Sequence, residues 1–255
     1  MPVKAIALTI IFVELASGVL LHSAGLYLLL TQRKKKIITL LLIHLSLVEL
    51  IFLLILGINE VSLPYIISHI GLLPLKCSQL ILICFLTAQF LSLAIITFER
   101  VLAVKLALRY RIVATKRKLI PVFSIIWLLS VSMSMAVWMN NDIFHIVLAI
   151  WEISLTIMYA CSYSYIFITV RGRRRRLNLH NSAQNHLNLN LKVPFLLVFT
   201  LICFYCVPDL LLATKVCDKE IWFLPVFYVN YITDGLIYIF GLPECRQRIK
   251  RVCKR

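Results

Sequence analysis

Charge is scarce in this 255-residue chain: 15% of its residues are Asp, Glu, Lys or Arg, and only 11 are acidic, against the roughly 25% charged content of soluble domains. Glycine is scarce as well, with seven residues, and no stretch of strand length alternates polar with apolar side chains. That excludes a transmembrane barrel, whose strands alternate between lipid and lumen. No phosphate-binding loop, Ser-His-Asp set or histidine pair at helical zinc-ligand spacing occurs, so nothing argues for an enzyme or for a bound metal. His145 and Glu152 share a helical face seven residues apart but lack a second histidine. There is no Asn-X-Ser/Thr glycan acceptor either.

Apolar residues are present instead. They make up 61% of the chain, and the mean hydropathy is +0.93. A hydrocarbon layer about 30 Å thick needs roughly 20 apolar residues per helical crossing, and seven stretches qualify: about 5–31, 37–58, 77–99, 119–139, 144–170, 193–213 and 221–241. Helices satisfy their own backbone in lipid. The expected fold is therefore an all-α membrane protein, a seven-transmembrane helix bundle over residues 1–241. Residues 242–255 form a short amphipathic cytoplasmic helix and basic tail. There Leu242, Cys245, Ile249 and Val252 repeat at helical spacing, and Arg246, Arg248, Lys250 and Arg251 take the other faces. Cys253 at its end is either palmitoylated or unmodified.

Cations near span ends stay in the cytoplasm. The clusters Arg33 to Lys36, Arg100 to Lys118, Arg171 to Lys192 and Arg246 to Arg255 hold 23 of the 27 Lys and Arg residues. Lys4, Lys76, Lys215 and Lys219 fall on the other side, so the amino terminus is expected outside and the carboxyl terminus in the cytoplasm. The net charge of +16 is then topological. The runs at 116–118 and 173–176 mark a bilayer partner and no nucleic acid. Lys4 and the small residues Ala16-Ser17-Gly18 suggest a secretory signal, but the apolar run continues to Leu30, too long for a cleavable core. A retained first span is expected.

Of eight cysteines, Cys77 and Cys217 are the two on the oxidising side. They either pair, joining the third span to the last outer loop, or lie too far apart to do so. Ionisable residues inside a span are expensive and usually face the bundle interior. Here they are Glu14, Glu49, the pair Glu99-Arg100, Glu152, Asp209 and Asp234. Glu49 and Asp234 are either protonated acids bonded to neighbours such as Gln89 and Asn230, or functional carboxylates.

The order of these residues along the chain resembles that of the rhodopsin-like G-protein-coupled receptors. The segment ITFERVLAVKLALRYRIVATKRK from Ile96 carries the family's acid-arginine-tyrosine motif as Glu99-Arg100-Val101, with the tyrosine lost. The loop ALRYR at 107–111 is similar to that of the melanocortin, adenosine and cannabinoid group. Trp127 follows Arg100 by 27 residues, as the helix-four tryptophan does. LSLVEL at 45–50 resembles the helix-two motif with Glu49 for aspartate, and Asp234-Gly235-Leu-Ile-Tyr238 resembles the helix-seven motif with glycine for proline. Pro208 fits the helix-six kink and Tyr163 the inward tyrosine of helix five.

The resemblance implies a receptor that couples an outer stimulus to a heterotrimeric G protein. Its switch would be Glu99, Arg100, Tyr163 and Tyr238, with Leu108 in the coupling loop. Glu49, Gln89, Asn230 and Asp234 would surround water or a sodium ion. Two carboxylates in one dry site repel, so a cation or a proton is expected between them. Glu152, Asp209 and Tyr228, with Trp151 and Phe227 nearby, would line a pocket for a cationic small molecule or basic peptide, unless one acid is protonated or pairs with Lys215. Several family features are replaced: Cys206 stands for the toggle tryptophan, Leu155 for a proline, His22 for the first-helix asparagine, and Asn188 for the acid that locks the arginine. A transporter or channel using Glu49 and Asp234 as relays, and a non-signalling decoy receptor, remain as alternatives.

Overall fold

Runs of apolar residues in lipid must close their backbone hydrogen bonds internally, and the elements formed follow from that demand. A computed structural model describes residues 2–32, 36–70, 73–106, 110, 115–139, 141–177, 193–203, 223–241 and 245–246, and among them every regular element is helical. The long helices are α1 Pro2–Leu30, α2 Ile37–Ile70, α3 Leu73–Leu106, α4 Leu119–Met139 and α5 Asn141–Leu177. A 3-10 turn, Lys116–Lys118, leads into α4. Residues 193–201 form α6, and Phe223–Leu236 form α7, which continues as the π-helical turn Ile237–Gly241.

Five of the helices contain stretches long and apolar enough to cross a membrane: Thr9–Leu30, Ile37–Asn59, Cys77–Leu106, Lys116–Ala136 and Ile153–Gly172. The chain is accordingly a multi-pass membrane protein. The helices α6 and α7 lie where the sixth and seventh crossings are expected.

The expected boundaries need correction at both ends of the bundle, since α3 also runs on to Leu106 and α5 to Leu177 on the cytoplasmic side. α2 and α3 each have 34 residues, about 50 Å at 1.5 Å per residue, and overshoot a hydrocarbon layer of about 30 Å. Apolarity marks only the part of a helix that meets lipid, so the extensions to Ile70 and back to Leu73 were invisible to it. One residue, at position 140, separates α4 from α5.

α3 packs against α2, α4 and α5, and α1 packs against α2 and α7. Half of the α2 span is buried inside the bundle, against 17% of the α5 span, so α2 is central and α5 faces lipid on most sides. The buried cluster includes Leu45, Leu53, Phe90, Leu93, Leu197 and Tyr231. Large apolar side chains such as Leu20, Ile120, Leu128 and Phe167 are exposed on the outside, the surface a lipid solvent requires.

The α1–α7 contact depends on Gly235. A Cβ there would stand 2.7 Å from Leu21 Cβ and 3.4 Å from the Leu21 carbonyl carbon. Its role is close helix approach, in addition to the loss of the kinking proline. Gly172 on α5 has nothing within 4 Å of a Cβ. Gly235→Ala should therefore destabilise the protein by about 1–3 kcal/mol through overpacking, while Gly172→Ala should be neutral or stabilising by up to about 1 kcal/mol through helix propensity. Thermal unfolding of the two variants in detergent checks this; equal melting temperatures would contradict it.

Candidate functional site: a buried polar core and a cytoplasmic ion pair

Glu49 projects from α2 into the crossing of four helices with no solvent exposure. Gln89 Nε2 of α3 donates to its Oε1 at 3.3 Å, and the Tyr238 hydroxyl donates to its Oε2 at 2.7 Å. Tyr231 of α7 donates to Gln89 Oε1 at 3.2 Å. His22 of α1 places Nδ1 3.4 Å from Glu49 Oε2 and Nε2 2.8 Å from the Tyr231 carbonyl oxygen. One acid thus joins α1, α2, α3 and α7.

Asp234 occupies the same core, close enough to Glu49 for the two carboxyls to interact electrostatically. Thr200 of α6 donates to its Oδ1 at 2.6 Å, and Asn230, one turn earlier on α7, donates to its Oδ2 at 3.3 Å. The four residues expected to gather, Glu49, Gln89, Asn230 and Asp234, do gather. Each of the four carboxyl oxygens has a neutral donor. Among the described residues, no three His, Cys, Asp or Glu are grouped to hold a metal ion.

Tyr238, which the resemblance assigns to the arginine switch, stands in the polar core in this structure: its hydroxyl bonds Glu49 and its ring stands edge-on to His22, with centroids 5.7 Å apart. Two features hold it there. Glutamate reaches one methylene further than aspartate, and Gly25 leaves room for Tyr238, whose Cβ would lie 3.0 Å from a Cβ at that position.

At the cytoplasmic end of α3, Arg100 folds back on its neighbour. Its Nε donates to Glu99 Oε2 at 2.5 Å and its Nη2 to Oε1 at 2.8 Å, and both residues are buried. Adjacent helical residues do not ordinarily face each other, so this two-pronged pair needs support. The Tyr110 hydroxyl supplies it by donating to Glu99 Oε1. Burial and that hydrogen bond push the Tyr110 phenol above its ordinary range, so it remains a donor at physiological pH.

Tyr163 lies on α5, packed edge-on against Phe195 with centroids 5.4 Å apart, and its hydroxyl is close enough to Thr97 and Arg100 to interact with both. Trp127 meets Phe85 edge-on at 5.2 Å and His44 at 6.1 Å, knitting α2, α3 and α4. Tyr228 is buried in the core. Cys77 is exposed with a free thiol, and its expected partner Cys217 falls in a stretch that is not described. Cys245 is buried beside Gln32, whose Nε2 lies 3.9 Å from its Sγ, and Arg246 is exposed, as an amphipathic helix requires at those two positions. Leu108, Asn188, Pro208, Asp209, Cys217 and Cys253 lie outside the described residues, as does the side chain of Glu152 on α5.

Residues 26–146 match the family profile of the 7 transmembrane receptor (rhodopsin family). This part of the chain resembles that family. The matched segment includes α2, α3 and α4, with Glu49, Gln89, Glu99, Arg100 and Tyr110. The match and the apolar helices support a transmembrane receptor of the G-protein-coupled, signal-transducing kind, a family of receptors and not of enzymes. Comparison of the chain with curated proteins finds no match.

Thr200, His22, Tyr231 and Tyr110 complete these two sites without having been expected there. Thr200 is the easiest to isolate. Thr200→Val keeps the shape and removes a donor from a buried carboxyl, which should destabilise the protein by about 1–3 kcal/mol. Thermal unfolding measures it, and an unchanged midpoint would mean that Asp234 does not depend on this bond.

Proposed function

We propose that the chain is a rhodopsin-like G-protein-coupled receptor with seven crossings, which transmits an outer stimulus to a heterotrimeric G protein through Arg100. The observation that carries this reading is the buried Glu99–Arg100 pair at the end of α3, braced by Tyr110 and lying within the segment that matches the receptor family. A buried ion pair loses about 3–5 kcal/mol when one partner is removed, because the other charge is left uncompensated. Arg100 therefore leaves Glu99 only when another acceptor takes it. Carbonyl oxygens of a docked G protein provide such acceptors, and the Tyr163 hydroxyl, already within electrostatic reach of Arg100, provides one inside the bundle.

The pair defines two states, and a stimulus shifts their populations by its differential affinity for them. The braced pair is the resting state. Opening of the cytoplasmic end around α3 is the active one. Each carboxyl oxygen of Glu49 and Asp234 has its own donor, which speaks against the relay of a transporter or channel.

The stimulus enters from the side where the amino terminus lies, in the plasma membrane orientation given by the cation distribution. A cationic amine or basic peptide held by Glu152 and Asp209 beside Tyr228 is the ligand class that the acid placement in the sequence favours, through charge-assisted bonds and aromatic faces.

Arg100→Ala should abolish G-protein activation in transfected cells even after the signal is normalised to surface expression, which the uncompensated Glu99 lowers. Tyr110→Phe should raise ligand-independent activation severalfold, since removing one hydrogen bond of about 1 kcal/mol shifts a two-state equilibrium about fivefold. Nucleotide exchange on the G protein reads both. Undiminished exchange by Arg100→Ala would refute the switch.

A further inference from the structure

His22 is fully buried, and its two nitrogens face partners of one kind. Nε2 lies 2.8 Å from the Tyr231 carbonyl oxygen, which can only accept a hydrogen bond, so Nε2 carries a proton. A neutral imidazole protonated there presents a lone pair at Nδ1. That lone pair would face Glu49 Oε2 at 3.4 Å, and Nδ1 has no hydrogen-bond partner among the described residues. An ionised carboxylate is also an acceptor. Two acceptors in contact inside a dry bundle repel, so the pair must hold one further proton, either as imidazolium with carboxylate or as imidazole with carboxylic acid. In both forms it is neutral.

The rest of the core offers a cation little. A sodium ion in such a site takes oxygen ligands from several sides, as hard cations do. Gln89, Tyr238, Thr200 and Asn230 already donate to the four carboxyl oxygens, and a nitrogen takes the remaining approach to Glu49. Asn230 Oδ1 has no donor among the described residues, but one amide oxygen does not form a cage. The residues that the receptor resemblance assigns to a sodium ion do not fit one.

We infer that His22 supplies, through one proton shared with Glu49, the charge that neutralises this acid, so that the polar core, in which Asp234 rests on Thr200 and Asn230, assembles without a sodium ion. The groups facing this pair are Gln89 from α3, Thr200 from α6, and Asn230, Tyr231, Asp234 and Tyr238 from α7 and its π turn. None of them is cationic. The imidazole on α1 is thus the one nitrogen base among the described residues of this core. It also ties α1 to α7 by side chain, at the crossing that Gly235 keeps close.

The test uses the full chain in detergent and reads thermal stability, independently of any signalling. The parent should unfold at the same temperature in equal concentrations of sodium chloride and choline chloride. His22→Asn removes the shareable proton and leaves two carboxyls together, so sodium should now raise its midpoint relative to choline by about 3 °C or more, the effect of a ligand at roughly ten times its dissociation constant. The double variant His22→Asn with Glu49→Gln has one acid left and should again be insensitive to the choice of cation. A parent stabilised by sodium over choline would overturn the inference. So would a His22→Asn variant that unfolds at one temperature in both salts, because the core would then be neutral without the imidazole.

Discussion

A carboxyl group with no access to water must find donors for both oxygens or carry a proton, and Glu49 sets that demand where four helices cross. Its two oxygens draw in Gln89 from α3, Tyr238 from beyond α7 and the His22 ring from α1. Apolar packing alone gives little direction in a bilayer, because lipid tails are as apolar as leucine. Helix order and rotation must then be fixed by small residues and by polar contacts that allow one arrangement. Here Gly235 and Gly25 permit close approach of α1 to α7 and its π turn, and the Glu49 network selects the register.

This constraint reaches the cytoplasmic end through α3. Gln89 and the Glu99–Arg100 pair lie ten and eleven residues apart on one continuous helix, roughly 15 Å along its axis. Rotation of α3 that moved Arg100 would also move Gln89 away from Glu49 and Tyr231. Tyr159 of α5 donates to the Phe90 carbonyl at 2.9 Å, fixing the same stretch of α3 from its other side. The polar core and the ion pair are thus two restraints on one rigid element, a physical basis for coupling outer and inner ends.

Much of this was legible in the sequence, and what was not has identifiable causes. Hydropathy located the membrane helices because lipid enforces it, but it was silent about the parts of α2 and α3 beyond the hydrocarbon, where nothing demands apolarity. The partners of Glu49 and Asp234, Gln89 and Asn230, could be named because buried acids need amide or hydroxyl donors and few were present at matching depth. Tyr238 escaped because its position follows from the π turn, the extra methylene of Glu49 and the space above Gly25, none of which has a periodic signature. Tyr110 was visible only as part of a short loop motif. Its contact with Glu99 bridges eleven residues and depends on how the chain folds back after α3. Thr200 gave no signal beyond a polar side chain in an apolar run.

The central claim is that Glu49 acts as the hub of the bundle and not as an acid buried beside unrelated neighbours. A double-mutant cycle on thermal stability between Glu49→Gln and Tyr238→Phe tests it most directly. Residues sharing one buried hydrogen bond couple by about 0.5–3 kcal/mol, whereas independent sites add within about 0.5 kcal/mol. The double variant should lose less stability than the sum of the two single losses by an amount in the coupled range. Simple additivity would contradict it.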